Sequence, residues 1–333
     1  MYSKPHKNRQ KIIAVAPMMD WTDRHCRYFH RLMTQKTLLY TEMVVADAII
    51  HGDRDYLLGF DETQHPLALQ LGGSDPEALA KAAAIAETYG YDEINLNVGC
   101  PSDRVQSGTF GACLMREPEL VGNCVAAMKE AVSIPVTVKC RIGVDEQVPS
   151  EALPKLAKEV WLQGCEGLWV HARKAWLEGL SPKENRTIPP LEYNQVYDLK
   201  REHADQFIGI NGGITDLGQT VEHLKQVDGV MIGRSAYQTP AMLREVDQLI
   251  LKTGKPPISY AEILEAMCVY AEQHISAGGK LNQISRHMVG LFQGVPGARS
   301  YRQILSVKAH KQGAGPEVLE EAFHAVEQLP IAV

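Results

Sequence analysis

The sequence predicts an α/β protein that consists of a (β/α)8 barrel followed by a small helical bundle. Eight short apolar segments follow one another with helical patterns between them, and several are apolar without interruption, as in IIAVA, PVTVKC and GVMIG. Continuous apolar strands that alternate with helices are typical of a parallel sheet covered on both faces. A Gly- and Pro-containing segment then separates this pattern from a purely helical region.

The eight predicted strands occupy residues 11–16, 37–42, 66–71, 92–97, 135–140, 167–171, 206–211 and 228–233. Helices are predicted between them, for example after Asp75-Pro76, where an N-cap residue precedes a proline at the first helical position. Eight alternations of strand and helix fit a closed barrel. A doubly wound sheet is the alternative, but the first strand is followed by Ala16-Pro17-Met18-Met19 and not by a glycine-rich dinucleotide-binding turn.

The C-terminal region is predicted to be a bundle of four helices. Residues 252–257, KTGKPP, are typical of a linker, and Ser259 with Glu262 forms a capping box for a helix that ends near residue 276. Further helical patterns cover residues 282–292, 298–310 and 316–327. We therefore predict a barrel domain over residues 1–250 and a helical domain over residues 258–333.

The composition is that of an ordinary globular protein, with 45% hydrophobic and 22% charged residues in a chain of 333. No apolar run approaches the roughly 20 residues that span a bilayer, and the basic N-terminus does not resemble a signal peptide. The seven cysteines form no C-x-x-C pair, so we expect no disulfide framework, no metal site and a reducing, cytoplasmic location. Neither a membrane partner nor an obligate protein partner is evident.

The charge distribution is uneven. Residues 280–312 carry +6 without any Asp or Glu, whereas the other 300 residues carry −12. A basic segment of this kind indicates either a solvated face or an anionic partner such as nucleic acid. The net charge of −6 argues against a general nucleic-acid coat but leaves a local binding patch open.

Active sites of (β/α)8 barrels are assembled at the C-terminal ends of the strands. The fourth strand ends in the Gly-Cys-Pro sequence around Cys100, and we predict that Cys100 carries chemistry, although free cysteines commonly only fill space. Polar or cationic residues also stand at most of the other strand ends. They are Glu42, Gln70, Asn95, Asn97, Lys139, Arg141, His171 and Asn211.

Two glycine-containing strand ends predict a phosphate site. Gly212-Gly213 and Gly233-Arg234 follow the seventh and eighth strands, where this fold offers backbone N–H groups to phosphate, unless the glycines only form tight turns. Lys139 lies in a strand otherwise fit for burial and therefore needs an anion. It is open at this point whether Lys139 forms a Schiff base with a sugar phosphate or holds the negative charge of a cofactor. His171 either contacts phosphate or orients a neighbour.

In combination, these motifs resemble those of the tRNA-dihydrouridine synthases. The matching segments are APMMDWTD, QLGG, INLNVGCP, VTVKCRIG, HARK, INGGI and IGR, in this order, and HARKAWLEGLSPKENRTIPPL resembles the A-type members. The resemblance implies a bound FMN, NADPH as reductant, and 5,6-dihydrouridine in the D-loop of tRNA as product. For A-type members it implies tRNA positions 20 and 20a.

The resemblance also implies roles for individual residues. Pro17, Met18 and Met19 frame the isoalloxazine, Gln70 forms a hydrogen bond with it, and Lys139 lies against the flavin. The residues around the ribityl phosphate are His171, Asn211, Gly212, Gly213, Gly233 and Arg234. Cys100 is the family's proton donor: hydride goes to C6 of the uracil and a proton goes to C5.

For tRNA we expect five contact residues. They are Asn97, Lys183, Arg186, Arg299 and Arg302. The target uracil must leave its stack to enter a pocket, and Asn97 with the loop through Arg104 is predicted to meet it. Three alternatives remain open: an FMN-dependent dehydrogenase of a free pyrimidine, a sugar-phosphate aldolase, and a non-catalytic RNA-binding protein.

Overall fold

A computed structural model describes residue 2 and residues 10–102 and 110–326 of the chain. Its eight parallel strands close into a barrel in sequence order, each paired with the next and β8 paired with β1. The strands are β1 (Ile12–Val15), β2 (Leu38–Val45), β3 (Leu67–Gly72), β4 (Glu93–Val98), β5 (Val136–Arg141), β6 (Gly167–His171), β7 (Ile208–Asn211) and β8 (Gly229–Ile232). The predicted (β/α)8 barrel is confirmed, and each predicted strand lies within three residues of the observed one at both ends.

The chain divides into two compact units. Of the described residues, those within 1–19, 38–60 and 65–233 form the first, called the barrel unit here, and those within 20–37, 61–64 and 234–326 form the second, called the helical unit. The division of function between residues 1–250 and 258–333 stays a prediction.

The barrel interior is filled by large apolar side chains from several strands. Trp169 is fully buried and lies against Phe207, with the two ring centroids 5.2 Å apart. Gly209 and Gly229 make room for this indole, because a Cβ on either residue would overlap it. The barrel is thus a packed core, and polar groups are brought to its strand ends.

The helices of the barrel unit follow the strands as the sequence predicts. They are Ala46–His51, Arg54–Leu58, Pro76–Thr88, Pro118–Ala131, Pro149–Leu162, Tyr193–Glu202 and Leu217–Leu224, with short 3-10 turns at Gly111–Arg116 and Glu184–Arg186. The Asp75 side chain accepts a hydrogen bond from the N–H of Ala78 at 3.0 Å, which confirms the predicted N-cap. The two short helices after β2 were not predicted.

The helical unit contains the four predicted C-terminal helices and several further ones. Its helices are Arg24–Met33, Arg234–Gln238, Leu243–Glu245, Tyr260–Ser276, Leu281–Met288, Ala298–Val307 and Glu317–His324, with a π-helical turn at Val246–Ile250 and 3-10 turns at Glu62–Gln64, Pro240–Met242 and Lys308–His310. The Ser259–Glu262 capping box is present, and residues 252–258 lie outside helices and strands. Phe292, Tyr301 and Phe323 pack edge to face in its core.

Two features are missing from the described part of the chain. None of its helices is both long enough and apolar enough to cross a membrane. No group of three or more His, Cys, Asp or Glu side chains there is arranged to hold a metal ion.

Candidate active site

A tight turn around Asn97 carries Cys100 at the end of β4. The Oδ1 atom of Asn97 accepts hydrogen bonds from the backbone N–H groups of Gly99 and Cys100, each at 2.9 Å. The half-buried thiol of Cys100 donates to Oγ of Ser102 at 3.5 Å. Because the side-chain acceptor fixes two successive backbone amides, the turn sets the position of the sulfur directly at the strand end. Arg104 lies outside the described residues.

The strand register places the polar strand ends beside one another. Asn97 on β4 is the register partner of Lys139 on β5, and His171 on β6 is the partner of Asn211 on β7. Gln70 on β3 accepts a hydrogen bond at Oε1 from Nδ2 of Asn97, at 2.9 Å. Parallel pairing in register therefore gathers side chains that are far apart in the sequence at one end of the barrel unit.

Lys139 combines partial burial with an uncompensated charge. Burial lowers the pKa of its amine to about 8, and the nearby guanidinium of Arg141 acts in the same direction. Among the described residues, no hydrogen-bond or salt-bridge partner of the amine is found. A cation held in this way is a ready binding group for an anion, as the sequence predicts.

Arg141 is a buried bridge between two strand-end loops. Its Nε donates to the carbonyl of Gly99 at 3.1 Å, and its Nη1 donates to the carbonyl of Asn185 at 3.0 Å. The sequence places Arg141 among the cations of the mouth but does not predict this role. Because its donors bond to the loops after β4 and β6, Arg141 fixes the backbone next to Cys100.

The turn after β7 requires both of its glycines. Gly212 has φ +115° and Gly213 has φ +70°, a region that other residues rarely adopt. A Cβ on Gly212 would lie 2.6 Å from Cδ2 of His171, and one on Gly213 would lie 2.5 Å from Cδ1 of Leu191. His171 therefore packs against the turn, and these two glycines are explained by the protein's own packing.

Gly233 is a different kind of glycine. It lacks a positive φ, and the nearest atoms to a Cβ built on it are the Cβ of Ala16 at 3.8 Å and Nδ2 of Asn211 at 4.0 Å. Neither backbone strain nor packing within the barrel unit requires a glycine here, because a Cβ would make only ordinary van der Waals contacts; we call the space that this Cβ would take, at the end of β8, the open cradle. Nδ2 of Asn211 donates to the carbonyl of Met231 at 2.7 Å and so is fixed beside that cradle. Arg234, the next residue, begins the short helix Arg234–Gln238 of the helical unit.

The segment after β1 presents apolar side chains. Pro17 and Met18 are half-buried, and Met19 is 53% exposed. An exposed, unbranched thioether at a barrel strand end is well suited to pack against a flat ring. The predicted contact of Pro17, Met18 and Met19 with an isoalloxazine stays a prediction.

The long loop after β6 is organised around one buried amide. The side chain of Asn185 accepts from the N–H of Trp176 at 2.7 Å and donates to the carbonyls of Trp176 and Leu180 at 2.8 and 3.0 Å. Lys183 and Arg186 flank Asn185 and are exposed. The loop therefore holds both cations at the surface through a satisfied polar core.

In the helical unit, two cations of the acid-free segment 280–312 form salt bridges with acidic residues from other parts of the sequence. Arg286 forms a salt bridge with Asp23 at 2.5 Å, and Lys308 forms one with Glu321 at 2.5 Å. Arg302 donates to Oε1 of Gln293 at 2.8 Å, whereas the exposed Arg299 has no ion-pair partner among the described residues. Fewer cations are thus available to an anionic partner than the sequence suggests.

Comparisons with known proteins identify relatives that match nearly the whole chain. The family model described as Dihydrouridine synthase (Dus) matches residues 14–327. The tRNA-dihydrouridine(20/20a) synthase of Shewanella oneidensis is 58% identical over 321 residues, which cover 96% of this chain and 96% of the relative. The protein of the same name from Escherichia coli K12 is 57% identical over 314 residues, covering 94% of this chain and 91% of the relative.

A solved structure shares the fold at low sequence similarity. Morphinone reductase matches with a TM-score of 0.52 and 14% identity, and the match covers 71% of this chain and 84% of that one.

Proposed function

Because this chain belongs to the dihydrouridine synthase family, we propose that it uses its barrel to reduce the C5–C6 double bond of uridine in tRNA to 5,6-dihydrouridine. This makes it an oxidoreductase. We further propose FMN as bound cofactor and NADPH as reductant, and uridines 20 and 20a of the D-loop as targets, since the relatives carry these positions in their names. A tRNA substrate implies that the protein works in the cytoplasm.

One observation carries the proposal: neighbouring ends of β4 and β5 hold a thiol and an uncompensated ammonium group. Asn97 and Lys139 are register partners, and Cys100 follows Asn97 in a fixed turn. The reduction adds a hydride and a proton to the uracil ring, so the site needs a group that accommodates negative charge and a separate proton donor. Lys139 and Cys100 supply these two groups.

The residues of the barrel unit fit an anionic flavin. The open cradle at Gly233 gives space for a phosphate, and in the turn after β7 Gly213 is exposed, so its backbone is accessible to a ligand. The groups of the barrel unit proposed to hold the flavin are Pro17, Met18, Met19, Gln70, Lys139, His171, Asn211, Gly212, Gly213 and Gly233. Arg234, the first residue of the helical unit after β8, stays a proposal from the sequence alone. When bound and reduced by NADPH, FMN supplies the hydride that C6 of the uracil receives.

Cys100 is proposed to donate the proton to C5 of the uracil. A protonated thiol can give a proton to C5 as negative charge develops there, whereas a nucleophilic role would need the thiolate. The Asn97 turn and the Arg141 contact with Gly99 hold the backbone that carries the sulfur. A fixed donor removes the need to orient a proton source in the transition state.

The wild-type protein tests the proposal directly. We expect purified protein to be yellow, and with NADPH to add two hydrogen atoms to uridine in an unmodified tRNA transcript, mapped by nuclease digestion and mass spectrometry. A colourless protein that cleaves or isomerises a sugar phosphate through Lys139 would support the aldolase alternative. A yellow protein that reduces free uracil or orotate but not tRNA would support the free-pyrimidine alternative.

Contact with tRNA is proposed for Asn97, Lys183, Arg186, Arg299 and Arg302. Replacing Arg299 by alanine is expected to weaken tRNA binding by about three- to tenfold and to reduce the slope of log affinity against log salt by about one. Fluorescence anisotropy with labelled tRNA at several salt concentrations measures both quantities. Lys308→Ala is the matched control, because Lys308 is already neutralised by Glu321. Loss of FMN content in Arg299→Ala with unchanged tRNA affinity would contradict the assignment.

A further inference from the structure

The start of β4 contains a buried carboxyl group with three hydroxyl donors. Glu93 is 1% exposed; its Oε2 accepts from the hydroxyl of Tyr2 at 2.6 Å, and its Oε1 accepts from the hydroxyls of Tyr40 and Thr137, each at 2.5 Å. Burial raises the pKa of this carboxyl to about 7, while the three hydroxyl groups oppose that rise. A charged or chargeable group deep in a barrel needs a reason, because burying it is unfavourable.

A continuous chain of hydrogen bonds leads from this carboxyl to Cys100. Nδ2 of Asn95 donates to Oγ1 of Thr137 at 2.8 Å, and Nε2 of Gln70 donates to Oδ1 of Asn95 at 2.8 Å. Nδ2 of Asn97 then donates to Oε1 of Gln70 at 2.9 Å, and the backbone N–H of Cys100 donates to Oδ1 of Asn97 at 2.9 Å. We call this chain, from Glu93 through these four side chains to the Cys100 N–H, the amide ladder.

Both ends of the amide ladder enforce the same direction. A backbone N–H only donates, so Asn97 must turn its oxygen to Cys100 and its NH2 group to Gln70. Gln70 and Asn95 must then each turn the side-chain oxygen towards Cys100 and the NH2 group towards Glu93. At the last step the Thr137 hydroxyl accepts from Asn95, so its own proton is free to be donated. Glu93 accepts that proton. With an apolar residue at position 93, the Thr137 hydroxyl would retain only the carbonyl of Ile94, 3.5 Å away, as an acceptor, and this end of the amide ladder would no longer be fixed by a short hydrogen bond.

We propose that Glu93 is a positioning residue, which through the amide ladder holds the Gln70 and Asn97 amides and the Cys100 backbone in the orientation that the reaction needs. This inference rests on the proposed function, in which Gln70, Asn97 and Cys100 face the flavin and the uracil. It assigns the β4 acid a role at the opposite end of its own strand. The alternative is a buried polar cluster that stabilises the barrel and has no influence on Cys100.

Two hydroxyl deletions separate these possibilities, because both remove one hydrogen bond from Glu93 but only one interrupts the amide ladder. Thr137→Val removes the ladder's hydroxyl at nearly constant volume, and Tyr2→Phe removes the donor to the other carboxylate oxygen. We expect Thr137→Val to lower kcat for tRNA reduction by about tenfold to a hundredfold with little change in KM. Tyr2→Phe is expected to keep kcat near the wild-type value, and Thr137→Ser to restore most of it.

A spectroscopic readout makes the result independent of the proposed reaction. With 15N-cysteine labelling of the full chain, the amide signal of Cys100 can be assigned from its loss in Cys100→Ser. We expect this signal to move in Thr137→Val and in Glu93→Leu but not in Tyr2→Phe, and Glu93→Gln, which keeps an acceptor oxygen, to stay close to the wild type. Equal effects of Tyr2→Phe and Thr137→Val on kcat and on the Cys100 signal would overturn the proposal.

The two readouts also separate failure of this inference from failure of the proposed function. A wild type that leaves tRNA unreduced, with a Cys100 signal that still responds to Thr137→Val, would reject the function and keep the ladder. An active wild type whose kcat and Cys100 signal ignore Thr137→Val would do the reverse.

Discussion

Two sides of the barrel mouth are built on opposite principles. On the side of β3, β4 and β5, the side chains of Gln70 and Asn97 bond to each other and to the turn that carries Cys100. On the side of β7 and β8, the notable feature is the glycine at the end of β8, Gly233, where a Cβ would meet no atom closer than 3.8 Å. Directional hydrogen bonds fix individual atoms, whereas glycines expose backbone and leave space. The first side is therefore suited to chemistry and the second to holding a ligand.

The largest effect is expected from removal of the Cys100 thiol, on the side of β3, β4 and β5. We expect Cys100→Ala to lower dihydrouridine formation by about 10²- to 10⁴-fold, the usual contribution of a positioned general acid, while the protein keeps its FMN. Single-turnover assays with tRNA, with product measured by mass spectrometry, give the rate. Flavin absorbance gives the FMN content of the same samples.

Cys113→Ala is the matched control for that experiment. Cys113 is also half-buried and donates to the carbonyl of Phe110 at 3.0 Å, but it does not belong to the Asn97 turn. Its replacement should leave the rate within about threefold of the wild type, because truncating the Cys113 side chain keeps the backbone hydrogen bond from the neighbouring Ala112 N–H to the carbonyl of Cys100 at 2.9 Å. Similar losses in both variants, or loss of flavin in Cys100→Ala, would remove the distinction between the two sides.

On the side of β7 and β8, two alanine substitutions should have different effects, one on FMN affinity and the other on stability. Gly233→Ala fills the open cradle without strain, so we expect FMN affinity to fall by at least about tenfold, some 1.4 kcal/mol, with unchanged thermal stability of the flavin-free protein. Gly212→Ala puts a side chain at φ +115° against His171, which costs about 1–3 kcal/mol and should lower stability itself. Fluorescence titration with FMN and thermal unfolding measure the two effects. Unchanged FMN affinity in Gly233→Ala would reject the cradle.

Much of this contrast can be predicted from the sequence, because apolar runs and the glycines that end them are local features of the chain. Continuous apolar runs such as PVTVKC predict parallel strands, and the glycines of INGGI and IGR stand where the strands must end. Lys139 is predictable as a functional residue, because a lysine in an apolar strand is costly without an anion, but the sequence leaves open whether it forms a Schiff base or holds the charge of a cofactor. These predictions need only neighbours along the chain and the rule that such barrels are active at their strand ends.

The connections between strands are not visible in the same way. Glu93, Asn95 and Asn97 alternate along one strand and so share one face, a polar period of two that signals a functional stripe. Nothing local indicates that Thr137 and Gln70 complete that stripe, since their pairing depends on strand register. The same limit applies to the basic segment 280–312, whose Arg286 and Lys308 meet acids that lie distant in the sequence.

Lys139 offers the smallest but most specific test, because it stands on the chemical side and is still expected to bind an anion. Folding lowers the pKa of this amine from 10.5 to about 8. Below pH 8 the amine is charged in both states, and this charge costs more free energy in the flavin-free folded protein than in the unfolded chain. Lys139→Met should therefore stabilise the flavin-free protein at pH 7 by about 1–2 kcal/mol after allowance for partial exposure, or about 1–3 °C in thermal midpoint. Between pH 8 and 10.5 the folded wild type loses this proton before the unfolded chain does, so the difference in stability between the two proteins should shrink.

Excess FMN should make the wild type the more stable protein at pH 7, because only its Lys139 ammonium then gains a counter-charge. Thermal unfolding at pH 7 and pH 10 measures all of these quantities, with substitution of the exposed Lys155 in Lys155→Met as control. If the difference in stability stays constant with pH, Lys139 is an ordinary solvated lysine and its ammonium group does not bind an anion.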